Sequence, residues 1–178
     1  MMNEIFPNES ILIKKLSKRE LRYWRIIRTN SGVLNLVGKP GLSKTSTMRS
    51  IAKKLNLYYV DMRLTTKDET DLGCYPLIEK IKGFSVINYA IPDWAWESNN
   101  YLELENTLEN QKYNGALIVF EELNRANITL RNAALQILLE KEIGTKFKFN
   151  SNVFMAATGN LGLEDDTDVE EFDAALKT

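Results

Sequence analysis

From residue 30 to residue 160, short apolar runs alternate with stretches in which apolar residues return every three or four positions. The runs are Val33–Val37, Leu57–Val60, Ala116–Phe120 and Val153–Ala157. The periodic stretches are Thr45–Leu55, with Met48, Ile51, Ala52 and Leu55 on one face, and a second carrying Leu130, Ala133, Ala134, Ile137 and Leu138. The first kind predicts buried strands and the second amphipathic helices. Continuous apolar strands alternating with helices predict a parallel sheet covered on both faces. Upstream, Ile11, Leu12, Leu16, Trp24 and Ile27 predict one helix over residues 10–28, capped by Ser10 and stopped at Asn30–Gly32. Seven Lys and Arg from Lys14 to Arg28 form its solvated face, with a phosphate-backbone contact as the alternative. Residues 67–114 are punctuated by Gly73, Pro76, Gly83 and Pro92; a helix is predicted only at Tyr101–Asn110, and Trp94 and Trp96 fall in a proline-led loop.

Composition narrows the chemistry. The chain has 178 residues, 44% hydrophobic and 26% charged, which suits one globular domain. A net charge of −1 disfavours a general nucleic-acid coat. There is no histidine, and Cys74 is the single cysteine. Imidazole-based hydrolysis, histidine-ligated metals, an internal disulfide and multi-cysteine zinc sites are therefore excluded. No apolar run reaches the ~18–20 residues that span a bilayer, and the first residues lack a signal-peptide pattern. The expectation is a cytoplasmic protein without a membrane partner.

Chemistry then has to come from carboxylates, lysine, hydroxyls and backbone amides, and three motifs supply them. Gly38-Lys39-Pro40-Gly41-Leu42-Ser43-Lys44-Thr45 stands between the first strand and a helix, close to the phosphate-loop pattern G-x-x-x-x-G-K-[ST]. Gly38, Lys44 and Thr45 match, whereas Ser43 stands where a second glycine is usual, which is expected to weaken affinity. Backbone amides at a helix N-terminus cradle phosphates. The predicted ATP-binding residues are Gly38, Lys39, Pro40, Gly41, Leu42, Ser43, Lys44, Thr45 and Ser46, with Lys44 reaching the terminal phosphates and the Thr45 hydroxyl on Mg²⁺. The third strand ends in Glu121-Glu122, an acid to support Mg²⁺ followed by an acid to act as general base. The fourth ends in Thr158-Gly159-Asn160, whose amide is a candidate for orienting water or sensing the γ-phosphate. The catalytic candidates are thus Lys44, Glu122 and Asn160, and the metal candidates Thr45 and Glu121.

In this order the motifs resemble the AAA+ ATPases, specifically the MoxR-like and dynein-related branch. GKPGLSKT corresponds to Walker A, LIVFEELNRA with ITLRNAALQILLEKEIG to Walker B and its helix, and VFMAATGN to sensor 1. YVDMRLTTKDETDLGCYP is similar to that branch's second strand and the segment after it. The resemblance covers about residues 30–178. It implies an α/β fold, the three-layer αβα large subdomain, with parallel strands in the order 5-1-4-3-2. Ahead of it, the helical spacing gives a basic N-terminal helix, residues 1–30, expected to pack on the nucleotide-binding unit, residues 31–178. That unit would carry an insert at about 67–114 and a hairpin at about 141–150, both directed at a pore or client.

The resemblance further implies an oligomeric ring, expected to be a hexamer, that binds ATP and ADP with Mg²⁺, receives an arginine in trans and remodels a protein or nucleoprotein client. Strand 5, the helical lid, the arginine finger and the second sensor arginine are not recognisable, so the expectation is either a fragment of a longer protein or a chain that a partner completes. The alternatives are a nucleotide-gated interaction module with little hydrolysis, and a nucleic-acid-associated ATPase using the basic helix. Glu164–Asp173, rich in acids, is expected to be a solvated segment.

Overall fold

The computed structural model describes residues 3–106 and 111–160. The strands are β1 (Leu34–Val37), β2 (Leu57–Arg63), β3 (Pro76–Ile81), β4 (Phe84–Tyr89), β5 (Glu105–Asn106), β6 (Gln111–Lys112), β7 (Gly115–Glu121), β8 (Glu142–Ile143), β9 (Phe147–Lys148) and β10 (Val153–Gly159). The helices are α1 (Glu9–Leu12), α2 (Lys18–Ile27), α3 (Lys44–Leu55), α4 (Asp93–Asn99) and α5 (Ile128–Glu140). Four strands form a parallel sheet in the order β1-β10-β7-β2. In order of sequence among these four, that is 1-4-3-2, the predicted arrangement without its fifth strand. Three two-stranded antiparallel pairs, β3–β4, β5–β6 and β8–β9, stand apart from it.

Every residue of β7 and β10 is buried, which is why both read as unbroken apolar runs rather than alternating ones. Successive side chains of a strand face opposite ways. Leu117, Val119, Phe154 and Ala156 pack with Met48, Ile51 and Leu55 of α3 and Trp24 and Ile27 of α2. Ile118, Phe120, Met155 and Ala157 pack with Leu130, Ala134, Ile137 and Leu138 of α5 and Ala95 of α4. The result is helix layers on both faces of the sheet. β10 lies between β1 and β7, and the turn from β1 into α3 stands at the carboxyl ends of these strands, the usual ligand position in such sheets.

Two expectations need correction. Residues 10–28 are not one helix: α1, a single 3₁₀ turn at Ile13–Lys15 and α2 follow one another, with Leu16 extended between the turn and α2 (φ −78°, ψ 140°). The cap is Ser17, not Ser10. Its side chain accepts from the Glu20 amide at 3.2 Å while the Glu20 carboxylate accepts from the Ser17 amide at 2.6 Å, a reciprocal capping box that restarts the helix. Ile11 is accordingly exposed. The helix expected at Tyr101–Asn110 is likewise absent over the described part: Tyr101–Glu103 is one 3₁₀ turn and Glu105–Asn106 is β5, while residues 107–110 lie outside the described residues. The helix of this region is α4, begun by Pro92, so Trp94 and Trp96 are helical rather than in a loop. Trp94 stacks on Phe149 (6.0 Å, 20°), meets Phe120 edge-on (6.3 Å) and donates its indole N–H to the Asp71 carbonyl at 2.7 Å. It is a packing residue; Trp96 stays exposed. The acidic stretch Glu164–Asp173 lies outside the described residues.

Glu20 also fastens α2 to α3, accepting from Lys54 at 2.8 Å and from the Ser50 hydroxyl at 2.6 Å. Burial alone would raise its pKa, but the bonds from Lys54, Ser50 and Ser17 outweigh this and hold it at about 2. A carboxylate whose folded pKa is depressed stabilises the fold above its ordinary pKa and loses that contribution as pH falls toward the depressed value. Glu20→Gln is therefore expected to lower unfolding stability by roughly 2–3 kcal/mol at pH 7. The gap between the two proteins should close as the pH drops from about 4 toward 2, read by urea denaturation at several pH values.

Candidate nucleotide site

The turn after β1 lies at the carboxyl end of the sheet. The Gly38 amide donates to the Gly159 carbonyl at 3.3 Å, which ties the start of the loop to the end of β10. A methyl group at Gly38 would press on Leu42 Cδ1 at 3.3 Å. Lys39 through Ser43 are exposed, with Gly41 at φ 80°. Ser43, immediately before α3, sits in the left-handed region at φ 57°, ψ 25°. That conformation costs a non-glycine residue ~1–2 kcal/mol. Ser43 fits the loop under strain rather than by a different path. Its carbonyl accepts from the Ser46 hydroxyl at 3.0 Å and the Thr47 hydroxyl at 2.7 Å, so the first turn of α3 is closed tightly beneath it.

Lys44 links the loop to the rest of the site. Its ammonium donates to the carbonyls of Gly38 (2.5 Å) and Lys39 (2.9 Å) and to Asn160 Oδ1 (3.2 Å). Asn160, 8% exposed, is held in turn by Asn124. The Asn124 amide donates to the Asn160 carbonyl at 2.5 Å, and Asn124 Oδ1 accepts from the Asn160 amide at 3.0 Å. Asn124 is a member of this site that the motif reading passed over. It lies in the turn after β7 and clasps β10 so closely that a methyl at Gly159 would stand 2.9 Å from its Oδ1.

The acidic pair ends β7. Glu121 is 2% exposed; its Oε2 accepts from Arg63 at 3.4 Å, and its Oε1 is buried without a hydrogen-bond partner among the described residues. Glu122 turns out of the strand at φ 58°, and its Oε2 accepts from the Thr65 hydroxyl at 2.9 Å. Of the predicted residues, Lys44 and Asn160 are in direct contact, the loop surrounds them, and Glu121 and Glu122 close the neighbouring end of β7. The arrangement offers an ammonium and helix-start amides for phosphate, and two carboxylates beside them. The buried, orphaned Glu121 Oε1 is an oxygen donor of the kind Mg²⁺ takes, so this chemistry fits that ion.

A parallel sheet in this order with a phosphate-type loop after β1 defines a phosphate-loop nucleotide-binding fold. Residues 34–177 match the model of the ATPase family associated with various cellular activities (AAA), and the chain belongs to that family. A crystal structure of a "putative ATPase" from Cytophaga hutchinsonii ATCC 33406 superposes with a TM-score of 0.55 at 16% identity, over 94% of this chain. The chain spans 46% of that protein's length, and at this identity the likeness speaks to fold. No curated protein matches the chain. No described helix is long and apolar enough to cross a membrane.

Proposed function

We propose that the chain binds Mg·ATP at Gly38–Ser46 and couples its hydrolysis, within an oligomer of the MoxR-like type, to remodelling of a protein or nucleoprotein client. The observation that carries this is the Lys44 ammonium, bonded at once to two loop carbonyls and to Asn160 at the end of β10. Phosphate oxygens bind a cation more strongly than these carbonyl and amide oxygens do and would displace them. The main-chain amides at the start of α3 supply further donors. When bound, Mg²⁺ neutralises charge on the phosphates, and Thr45 and Glu121 are the residues that would hold it. Glu122 takes the proton of the attacking water as the bond between the β–γ bridging oxygen and the γ-phosphorus breaks, giving ADP and phosphate. Asn160 orients that water or the γ-phosphate. An arginine from a neighbouring subunit completes the site; such a residue is worth ~10³–10⁵ in rate.

A second reading, a nucleotide-gated module with little turnover, draws on two observations. Ser43 is strained where a glycine would be relaxed, and Glu122 is tied to Thr65 rather than free to meet water. Particle mass and phosphate release, measured with and without ATP, separate the two. The proposal expects ATP to drive assembly and turnover to rise with it. Tight ATP binding with no turnover in any assembled form would favour the second reading.

A further inference from the structure

We propose that Asp61, assisted by Tyr59, is an outer partner of the nucleotide's divalent cation, lying behind Thr45 and Glu121. The inference rests on the phosphate-loop reading above and gives a role to residues of β2 that lie outside the phosphate loop, the acidic pair and the Asn160 strand end.

The sheet register sets Asp61 beside Val119 and Arg63 beside Glu121 on adjoining parallel strands. Alternation along β2 sends Tyr59, Asp61 and Arg63 to the face that α3 covers, the face to which Leu57, Leu117 and Val119 belong. Arg49, one turn after Thr45 in α3, pairs with Asp61 Oδ2, and its guanidinium carbon lies 5.1 Å from the centre of the Tyr59 ring. Glu121 is held in parallel fashion, by Arg63 on Oε2.

Each carboxylate thus has one oxygen on an arginine, and in each the other oxygen is buried and unsatisfied. Glu121 Oε1, Asp61 Oδ1 and the Tyr59 hydroxyl all lack a partner among the described residues. Leaving a buried polar atom unpaired costs ~1–3 kcal/mol, and more for a charged one. Water on a hydrated Mg²⁺ is a strong donor suited to such oxygens, and Mg²⁺ commonly keeps several waters with one or two carboxylates nearby. Among the described residues no three acids converge. The arrangement therefore suits a cation whose remaining ligands are phosphate oxygens and water, and is no self-sufficient protein cage.

Mn²⁺ serves as the probe, its affinity for the chain loaded with a non-hydrolysable ATP analogue read by electron paramagnetic resonance. Asp61→Asn should weaken Mn²⁺ binding ~10–100-fold, the usual loss for an outer-shell partner, while leaving metal-free nucleotide affinity unchanged. Tyr59→Phe should weaken it less, and Arg49→Ala should preserve or tighten it by releasing Asp61 Oδ2. If Asp61 serves only to anchor Arg49, Arg49→Ala will reproduce the loss seen in Asp61→Asn, and the proposal is overturned. Unchanged Mn²⁺ affinity in Asp61→Asn also overturns it. Should Asp61→Asn fail to fold with Arg49 unpaired, the double variant Arg49→Ala/Asp61→Asn is compared with Arg49→Ala under the same criterion. A wild-type chain whose nucleotide affinity ignores Lys44→Ala would instead sink the underlying phosphate-loop reading.

Discussion

Replacing Lys44 by alanine is expected to weaken ATP binding by at least ~100-fold, about 2.7 kcal/mol. The ammonium donates to three oxygens, and phosphates carrying several negative charges would be stronger partners for it. Charge-assisted bonds are roughly twice as strong as neutral ones, and Lys44 is the loop side chain seen to reach Asn160 among the described residues. The fold should survive. Lys44 is only partly buried at the first position of α3, alanine is a good helix former, and the two freed carbonyls sit at a loop open to water. Isothermal titration with ATP, beside a thermal melt, checks both halves. An affinity within threefold of wild type in a folded variant would contradict the assignment of the loop.

The second large effect concerns Glu122. Glu122→Gln should bind ATP like the wild type yet lower turnover of the assembled form ~10²–10⁴-fold, the range supplied by a positioned general base. The amide keeps the shape of the side chain, and its oxygen can still accept from the Thr65 hydroxyl, but it cannot take a proton. Because Glu122 is at φ 58° at the strand's exit, its side chain is thrown clear of the buried row that ends in Glu121. That separation would let two adjacent acids serve the different purposes proposed for them. Turnover that is the same in the variant as in the wild type would require another base.

What the sequence made readable follows from where the physics is local. β7 and β10 are buried on both faces, so their composition announces them, and α3 and α5 each carry one apolar stripe. The N-terminal region misled because its basic residues and spaced apolar positions suggest a continuous helix, while the stop at Leu16 and the Ser17–Glu20 box act through only a few residues. That box has the S-x-x-E signature and could have been found. Tyr101–Asn110 misled differently: Leu and Glu are good helix formers, yet Tyr101 is drawn into the core and the chain then pairs as β5 with β6. Asn124 stands two residues beyond the acidic pair, and only the placement of β10 beside β7 reveals what it holds. The same is true of Asp61 and Glu121, whose closeness depends on the register between β2 and β7.

The central claim is that nucleotide binds in the loop between β1 and α3. Hydrogen exchange of the chain with and without Mg·ATP tests it most directly, because the amides of residues 38–46 are the proposed phosphate donors. The account predicts that ATP slows exchange most strongly over that segment, with a smaller effect at Asn160, and that Lys44→Ala removes both. Protection elsewhere with residues 38–46 unaltered would contradict it.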